Sequence, residues 1–371
     1  MNQSLATSKR LIVKIGSSLL VEDATGELRR AWLDALVEDV AKLRRGGAQV
    51  LIVTSGAVAL GRRHLGLASG PLRLEEKQAA AAAGQIRLAH AYQESAARHG
   101  IPVAQILLTP DDTEERRRHL NARATVEQLL ALKALPVINE NDTVATAEIR
   151  FGDNDRLAAR VAQMISADTL VLLSDIDGLY TADPRRDAKA RHIPECREIS
   201  SEIEAMAERA APGDSSGGMV TKLAAARIAM AAGCRMAIAR GDALHSLAAL
   251  DQGARATWFL PDSQPLTARK RWIAGAVNPA GALTVDDGAA AALKRGTSLL
   301  PAGVVAVEGN FQRGDAVIVK AKDGKEIARG LSAYSSDDAR AIAGHKSGEI
   351  ETILGYRGRD EMIHRDDLVV T

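Results

Sequence analysis

The sequence predicts an α/β protein, with a mainly parallel sheet sandwiched by helices and then a small β-rich barrel. Three observations carry this expectation. Up to about residue 262, short apolar, β-branched runs alternate with Ala-, Leu- and Arg-rich stretches. Those runs are apolar throughout rather than alternating, as in strands buried on both faces and joined by helical crossovers. After about residue 280 the pattern turns strand-rich, with Asp323-Gly324 as a hairpin signal.

Taken in order, the apolar runs place strands at 11–15, 50–54, 103–108, 135–139, 170–174 and 236–239. Helices are expected between them, at 30–45, 78–99, 120–132, 156–166 and 221–232. Pro261, Pro265 and the Asn278-Pro279 step bracket a basic connector, Arg269-Lys270-Arg271. The expected organisation is therefore a first domain at 8–262, a linker at 263–279 and a second domain at 280–360. The second domain should hold strands at 302–307, 316–320 and 326–331.

Composition excludes several classes. A chain of 371 residues suggests two domains, and 46% hydrophobic with 26% charged residues is ordinary for a globular protein. A net charge of +1 gives no pull toward nucleic acid or acidic membranes. The first residues, MNQSLATSKR, show no signal peptide, and no run approaches the roughly 18 apolar residues of a membrane span. Cys196 and Cys234 lie in no ligand-spaced motif. Reduced, structural cysteines fit a cytoplasmic protein.

The functional signal is concentrated at residues 139–155, NENDTVATAEIRFGDND. An apolar strand that ends in Asn139, Glu140, Asn141 and Asp142 delivers amides and carboxylates to one sheet edge, where open α/β sheets bind ligands. Such groups suit a small zwitterion, whose ammonium and carboxylate both need partners. The same cluster also reads as an Asx-rich loop that caps turns and helix starts. Phosphate-handling candidates flank it. The first two strands run into Lys14-Ile15-Gly16-Ser17-Ser18 and Thr54-Ser55-Gly56-Ala57, and Gly213 to Lys222 (GDSSGGMVTK) opens a helix. Glycines at strand ends and helix starts let backbone N–H groups approach an anion. Lys14 in an apolar strand, and Lys222 near a helix N-terminus that disfavours cations, both call for negative charge nearby. No GxxxxGK[ST] and no GxGxxG occurs. The set points to phosphoryl transfer, which needs charge neutralisation more than a general base. A carboxylate nucleophile would already be ionised. The eight histidines are scattered without ligand spacing, so no protein metal site is expected.

Seven segments in this order, VKIGSSLL, IVTSGAVALG, LLTPDD, LNARATVEQLL, PVINENDTVATAEIRFGDNDRLAA, LLSDIDGLYTADP and GGMVTK, resemble the glutamate 5-kinase branch of the amino acid kinase family. The resemblance covers essentially the whole chain, because GALTVDDGAAAALKRGTSLLPAGV and GNFQRGDAVIV are similar to a PUA domain. It implies the amino acid kinase fold and transfer of phosphate from Mg-ATP (ATP with Mg2+) to the γ-carboxylate of L-glutamate, the first step toward proline. By position, the catalytic set would be Lys14, Asp155 and Lys222, with the lysines on the phosphates and Asp155 orienting them. Ser55, Asp142 and Asn154 would hold glutamate. Ser174, Asp175 and the run Ser216, Gly217, Gly218, Met219, Val220, Thr221 and Lys222 would line ATP together with Lys14. The resemblance also implies proline as a feedback inhibitor and a homo-oligomer, dimer or tetramer. The chain departs from the familiar pattern in a shorter Gly-rich loop and in Val220, where a small polar residue is more usual. Rival readings are a sister kinase acting on aspartate, acetylglutamate, carbamate or a nucleoside monophosphate, and an RNA-binding protein using the PUA module. A catalytically silent paralogue is disfavoured by Lys14, Asp155 and Lys222. From 280 to 371 there are 12 Lys/Arg against 14 Asp/Glu, which argues against nucleic acid.

Overall fold

The structure is a computed structural model that describes residues 4–22, 25–68, 70–144, 154–209, 218–265, 267 and 279–370. The chain forms two compact units, Met1–Glu114 with Asn121–Pro265, and Glu115–Leu120 with Leu266–Thr371.

The first unit is built on β1 (Arg10–Ile15), β2 (Gln49–Val53), β3 (Val103–Leu108), β4 (Leu135–Glu140) and β5 (Thr169–Ser174). A small ribbon, β6 (Leu179–Tyr180) and β7 (His192–Ile193), precedes β8 (Glu195–Cys196), β9 (Arg235–Arg240) and β10 (Ala256–Phe259). The eight-stranded sheet has the order β3-β4-β2-β1-β5-β9-β10-β8. Pairing is parallel except between β9 and β10. All six expected strands are present within a residue or two of their expected ends. Strands β8 and β10 are too short to announce themselves. The side chains of each strand divide between two faces. Leu11, Val13 and Ile15 pack with Trp32, Leu36 and Tyr92 on one side. Ile12, Leu51 and Leu172 pack with Val161, Met164 and Ala226 on the other. This is the helix–sheet–helix sandwich that the apolar runs predicted.

Parallel pairing sends the carboxyl ends of β1, β2, β4, β5 and β9 to one edge. Among the helices that begin there are Ala57–His64, Asn154–Met164 and Met219–Ala231. The expected helix at 78–99 runs instead from Leu74 to Ala97, because the Glu76 carboxylate accepts from the Arg73 N–H at 2.8 Å and fixes an earlier start. This helix packs backbone to backbone on Ala57–His64. A Cβ at Gly61 would lie 1.7 Å from the Ala80 carbonyl oxygen, and one at Gly84 would lie 1.8 Å from that of Ala57. Only glycine permits so close an approach.

The second unit carries β11 (Gly281–Val285), β12 (Val304–Gly309), β13 (Ala316–Lys320), β14 (Glu326–Leu331) and β15 (Leu368–Val370), ordered β12-β11-β13-β14-β15. Neighbours are antiparallel except β11 and β13. Strands β13 and β14 fall where expected, joined through Gly324 at φ +83°. Strand β12 begins two residues later than expected because Pro301–Gly303 forms a 3-10 turn. Leu283, Phe311, Val317, Tyr334 and Met362 belong to a core of its own. Most of the expected linker lies outside the described residues.

Candidate active site

The parallel sheet edge gathers the residues singled out above. Lys14 is the penultimate residue of β1, and only 7% of it is exposed. Its ammonium lies 2.7 Å from Asp155 Oδ1. Asp155 stands in the first turn of Asn154–Met164 and is itself buried. Its other oxygen, Oδ2, lies 3.4 Å from Lys222 Nζ and accepts from the Thr221 hydroxyl at 3.0 Å. One carboxylate thus tethers two buried ammonium groups, one from a strand end and one from a helix start.

Burial would raise the Asp155 pKa, but the Lys14 and Lys222 ammoniums, with hydrogen bonds from Lys14 and Thr221, hold it below the ordinary value. For Lys222 burial dominates and lowers the pKa, Asp155 opposes it, and Lys14 adds to the lowering. An added anion would relieve both burial and the repulsion between the lysines. Gly218 caps the helix Met219–Ala231 without a side-chain hydrogen bond, and a helix start of this kind suits an anion.

Neutral groups build the adjoining part. Asn154 Nδ2 donates to Ser55 Oγ at 2.7 Å and to Asn139 Oδ1 at 3.2 Å. Ser55 is set by the turn after β2, where Gly56 takes φ +101° to begin Ala57–His64. Among the described residues Asn154 Oδ1 is buried with no hydrogen-bond partner. A buried acceptor without a donor calls for a ligand that brings one. Asp142 follows β4 and is buried, and burial, reinforced by the neighbouring Glu140 carboxylate, pushes its pKa up to about 7. Gln85, Glu140, Asn141 and Asp142 line a cavity of about 270 Å3.

The expected nucleotide residues are only partly described. Ser174 ends β5 beside Arg240 of β9, and its hydroxyl donates to Asp175 at 3.1 Å. Burial raises the Asp175 pKa, but that hydrogen bond and Arg185, 2.9 Å away, bring it below the usual value. Gly218, Met219, Val220, Thr221 and Lys222 form the helix start, whereas Ser216 and Gly217 lie outside the described residues. Asp142 shares no described hydrogen bond with Ser55 or Asn154, so the structure joins two of the three expected glutamate residues directly. Sequence reasoning missed Gln85, whose Oε1 accepts from Asn139 Nδ2 at 3.1 Å. The available signal was a polar residue on a helix face otherwise made of Ala80, Ala81, Gly84 and Leu88.

Comparison with known proteins gives the same direction. The family model for the amino acid kinase family matches residues 9–240, and that for the PUA domain matches residues 281–354. The chain is 66% identical over 366 residues to the glutamate 5-kinase of Paramagnetospirillum magneticum, covering 99% of each. It is 63% identical over 359 residues to the glutamate 5-kinase of Rhodospirillum rubrum, covering 97% of this chain and 96% of that one. The glutamate 5-kinase of Agrobacterium fabrum is 61% identical over 367 residues, with 99% of this chain and 94% of that one covered.

Proposed function

This chain belongs to the amino acid kinase family, and we propose that it phosphorylates the γ-carboxylate of L-glutamate with ATP, giving L-glutamyl 5-phosphate and ADP, the first step of proline biosynthesis. The observation that carries this reading is the convergence of Lys14 and Lys222 on Asp155, directly beside Asn154 and Ser55. A γ-carboxylate oxygen of glutamate attacks the γ-phosphorus, a new P–O bond forms, and the bond to the β–γ bridging oxygen breaks, leaving ADP. No proton has to move. The chain's part is to place the two groups in line and to meet the charge on the moving phosphoryl group.

Lys14 and Lys222 hold the phosphates, and Asp155 keeps both ammoniums aimed. Ser174, Asp175 and the run from Ser216 to Lys222 line the nucleotide, which arrives as Mg-ATP. Asn154 Oδ1 takes the substrate ammonium, the Ser55 hydroxyl donates to its α-carboxylate, and Asp142 supplies a second acceptor for the ammonium. Among the described residues no helix is long and apolar enough to cross a membrane, and cytoplasmic location is part of this reading. So are a homo-oligomer and inhibition by proline.

The test is ATP turnover by the purified protein with L-glutamate, L-aspartate, N-acetylglutamate, carbamate and UMP. Turnover should be confined to glutamate. Activity confined to one of the other acceptors would overturn the reading.

A further inference from the structure

A primary amide has one donor end and one acceptor end, and in a buried site its neighbours decide which way it faces. Three buried amides form a chain here: Gln85, Asn139 and Asn154. Gln85 Oε1 accepts from Asn139 Nδ2 at 3.1 Å. That contact turns Asn139 Oδ1 the other way, where it accepts from the Glu140 N–H at 2.9 Å and from Asn154 Nδ2 at 3.2 Å. Reversing Asn139 would set its NH2 against two donors. Asn154 is fixed in turn, with Nδ2 on Asn139 and Ser55 and with Oδ1 as a buried acceptor lacking a partner among the described residues. Ser55 Oγ accepts that bond, so its own hydrogen is left to donate.

We infer that Gln85 is a positioning residue for the amino-acid substrate: it acts through Asn139 to set which end of the Asn154 amide meets the substrate ammonium. The inference rests on the assignment of Asn154 Oδ1 to that ammonium. Gln85 belongs to Leu74–Ala97, which also sends Tyr92 to the end of β2, where its hydroxyl lies 2.9 Å from Thr54 Oγ1. Gln85 and Tyr92 are seven residues apart and share one face. One helix therefore backs both strand ends that present the substrate groups.

Gln85→Met keeps the length of the side chain and removes its carbonyl, and Gln85→Glu keeps an acceptor. Losing one neutral hydrogen bond should raise the KM for glutamate about three- to tenfold in Gln85→Met. kcat and the KM for ATP should stay within about twofold of wild type. The inhibition constant of glutarate, a competitor without an ammonium group, should likewise stay within about twofold, because only the ammonium meets Asn154. Gln85→Glu should retain the wild-type KM for glutamate. An unchanged KM for glutamate in Gln85→Met would overturn the inference, as would an equal loss of glutarate binding. A joint fall in kcat, both affinities and Tm would make Gln85 structural and would also overturn it, and so would a Gln85→Glu variant as impaired as Gln85→Met. Wild-type protein that did not phosphorylate glutamate would instead strike the proposed function itself.

Discussion

The two halves of the site are made of different materials. On the side proposed for phosphate three buried charges meet, Lys14, Asp155 and Lys222. On the side proposed for the amino acid neutral groups dominate, with Ser55, Asn139, Asn154 and Gln85 linked by hydrogen bonds. Under the proposed function, the difference follows the chemistry each half would handle. Charge on a transferring phosphoryl group redistributes during reaction, and fixed ammoniums answer it most strongly in the transition state. A zwitterion that stays chemically unchanged at its α-carbon needs orientation instead, and oriented amides give it without the desolvation cost of buried ions. The charged half should therefore govern kcat and the neutral half the KM for glutamate.

The largest expected effect breaks the charged half. Lys14→Ala and Lys222→Ala should each lower kcat by about 10²–10³, as expected for a donor that strengthens in the transition state. Steady-state kinetics with saturating substrates would check this, and near-normal kcat in either variant would remove that lysine from the mechanism. The next effect disturbs the neutral half from behind. Gly84→Ala forces a methyl group to where the Ala57 carbonyl oxygen stands, 1.8 Å away. Helices Ala57–His64 and Leu74–Ala97 must then separate, moving both Ser55 and Gln85. The KM for glutamate should rise about tenfold or more with a lower Tm, while the Lys14–Asp155–Lys222 geometry stays in place. A normal KM would show that the helix contact does not set the substrate groups.

How much of this was legible in the chain depended on how local the cause was. The sheet strands could be read because buried parallel strands are continuous apolar runs, and the β13–β14 hairpin because Asp323-Gly324 states its own turn. Lys14 and Lys222 could be picked out because a lysine in an apolar strand or at a helix start is anomalous, and Asp155 through the resemblance carried by the GDND segment. Gln85 could not, since the role proposed for it depends on a partner, Asn139, 54 positions away in the chain. The earlier start of Leu74–Ala97 needed the Glu76–Arg73 contact, and β8 and β10 exist only through pairing with each other and with β9.

A subtler effect concerns Asp142, the charged residue among neutral ones. Folding raises its pKa from the usual 3.8 to about 7, through burial and then Glu140. The fold therefore favours its protonated form. That stabilisation is fully present below about pH 4, declines as pH rises and is gone above about pH 7. Thermal unfolding without substrate should show Asp142→Asn more stable than wild type, by a margin that widens from about pH 4 to 7 and is constant above. A margin independent of pH would place the carboxylate in water rather than in the site. The smallest effect is expected at the C-terminal unit. A chain ending near Pro279 should stay folded and keep measurable glutamate kinase activity, since the second unit has its own core. Its acidic balance predicts no tight RNA binding at physiological salt. An insoluble or inactive product, or a salt-sensitive nanomolar RNA complex, would refute this.

Asn154 and Asp155 are neighbours in the chain, yet they belong to opposite halves of the site. Steady-state kinetics of Asn154→Ala and Asp155→Asn, with glutamate and ATP each varied, therefore tests the division most directly. Asn154→Ala should raise the KM for glutamate while leaving the KM for ATP and kcat near wild type. Asp155→Asn, which leaves two buried ammoniums without their shared carboxylate, should lower kcat by about tenfold or more with little change in either KM. If both variants altered the same parameter to the same extent, the site would act as one unit, and its division into a charged half for phosphate and a neutral half for the amino acid would be wrong.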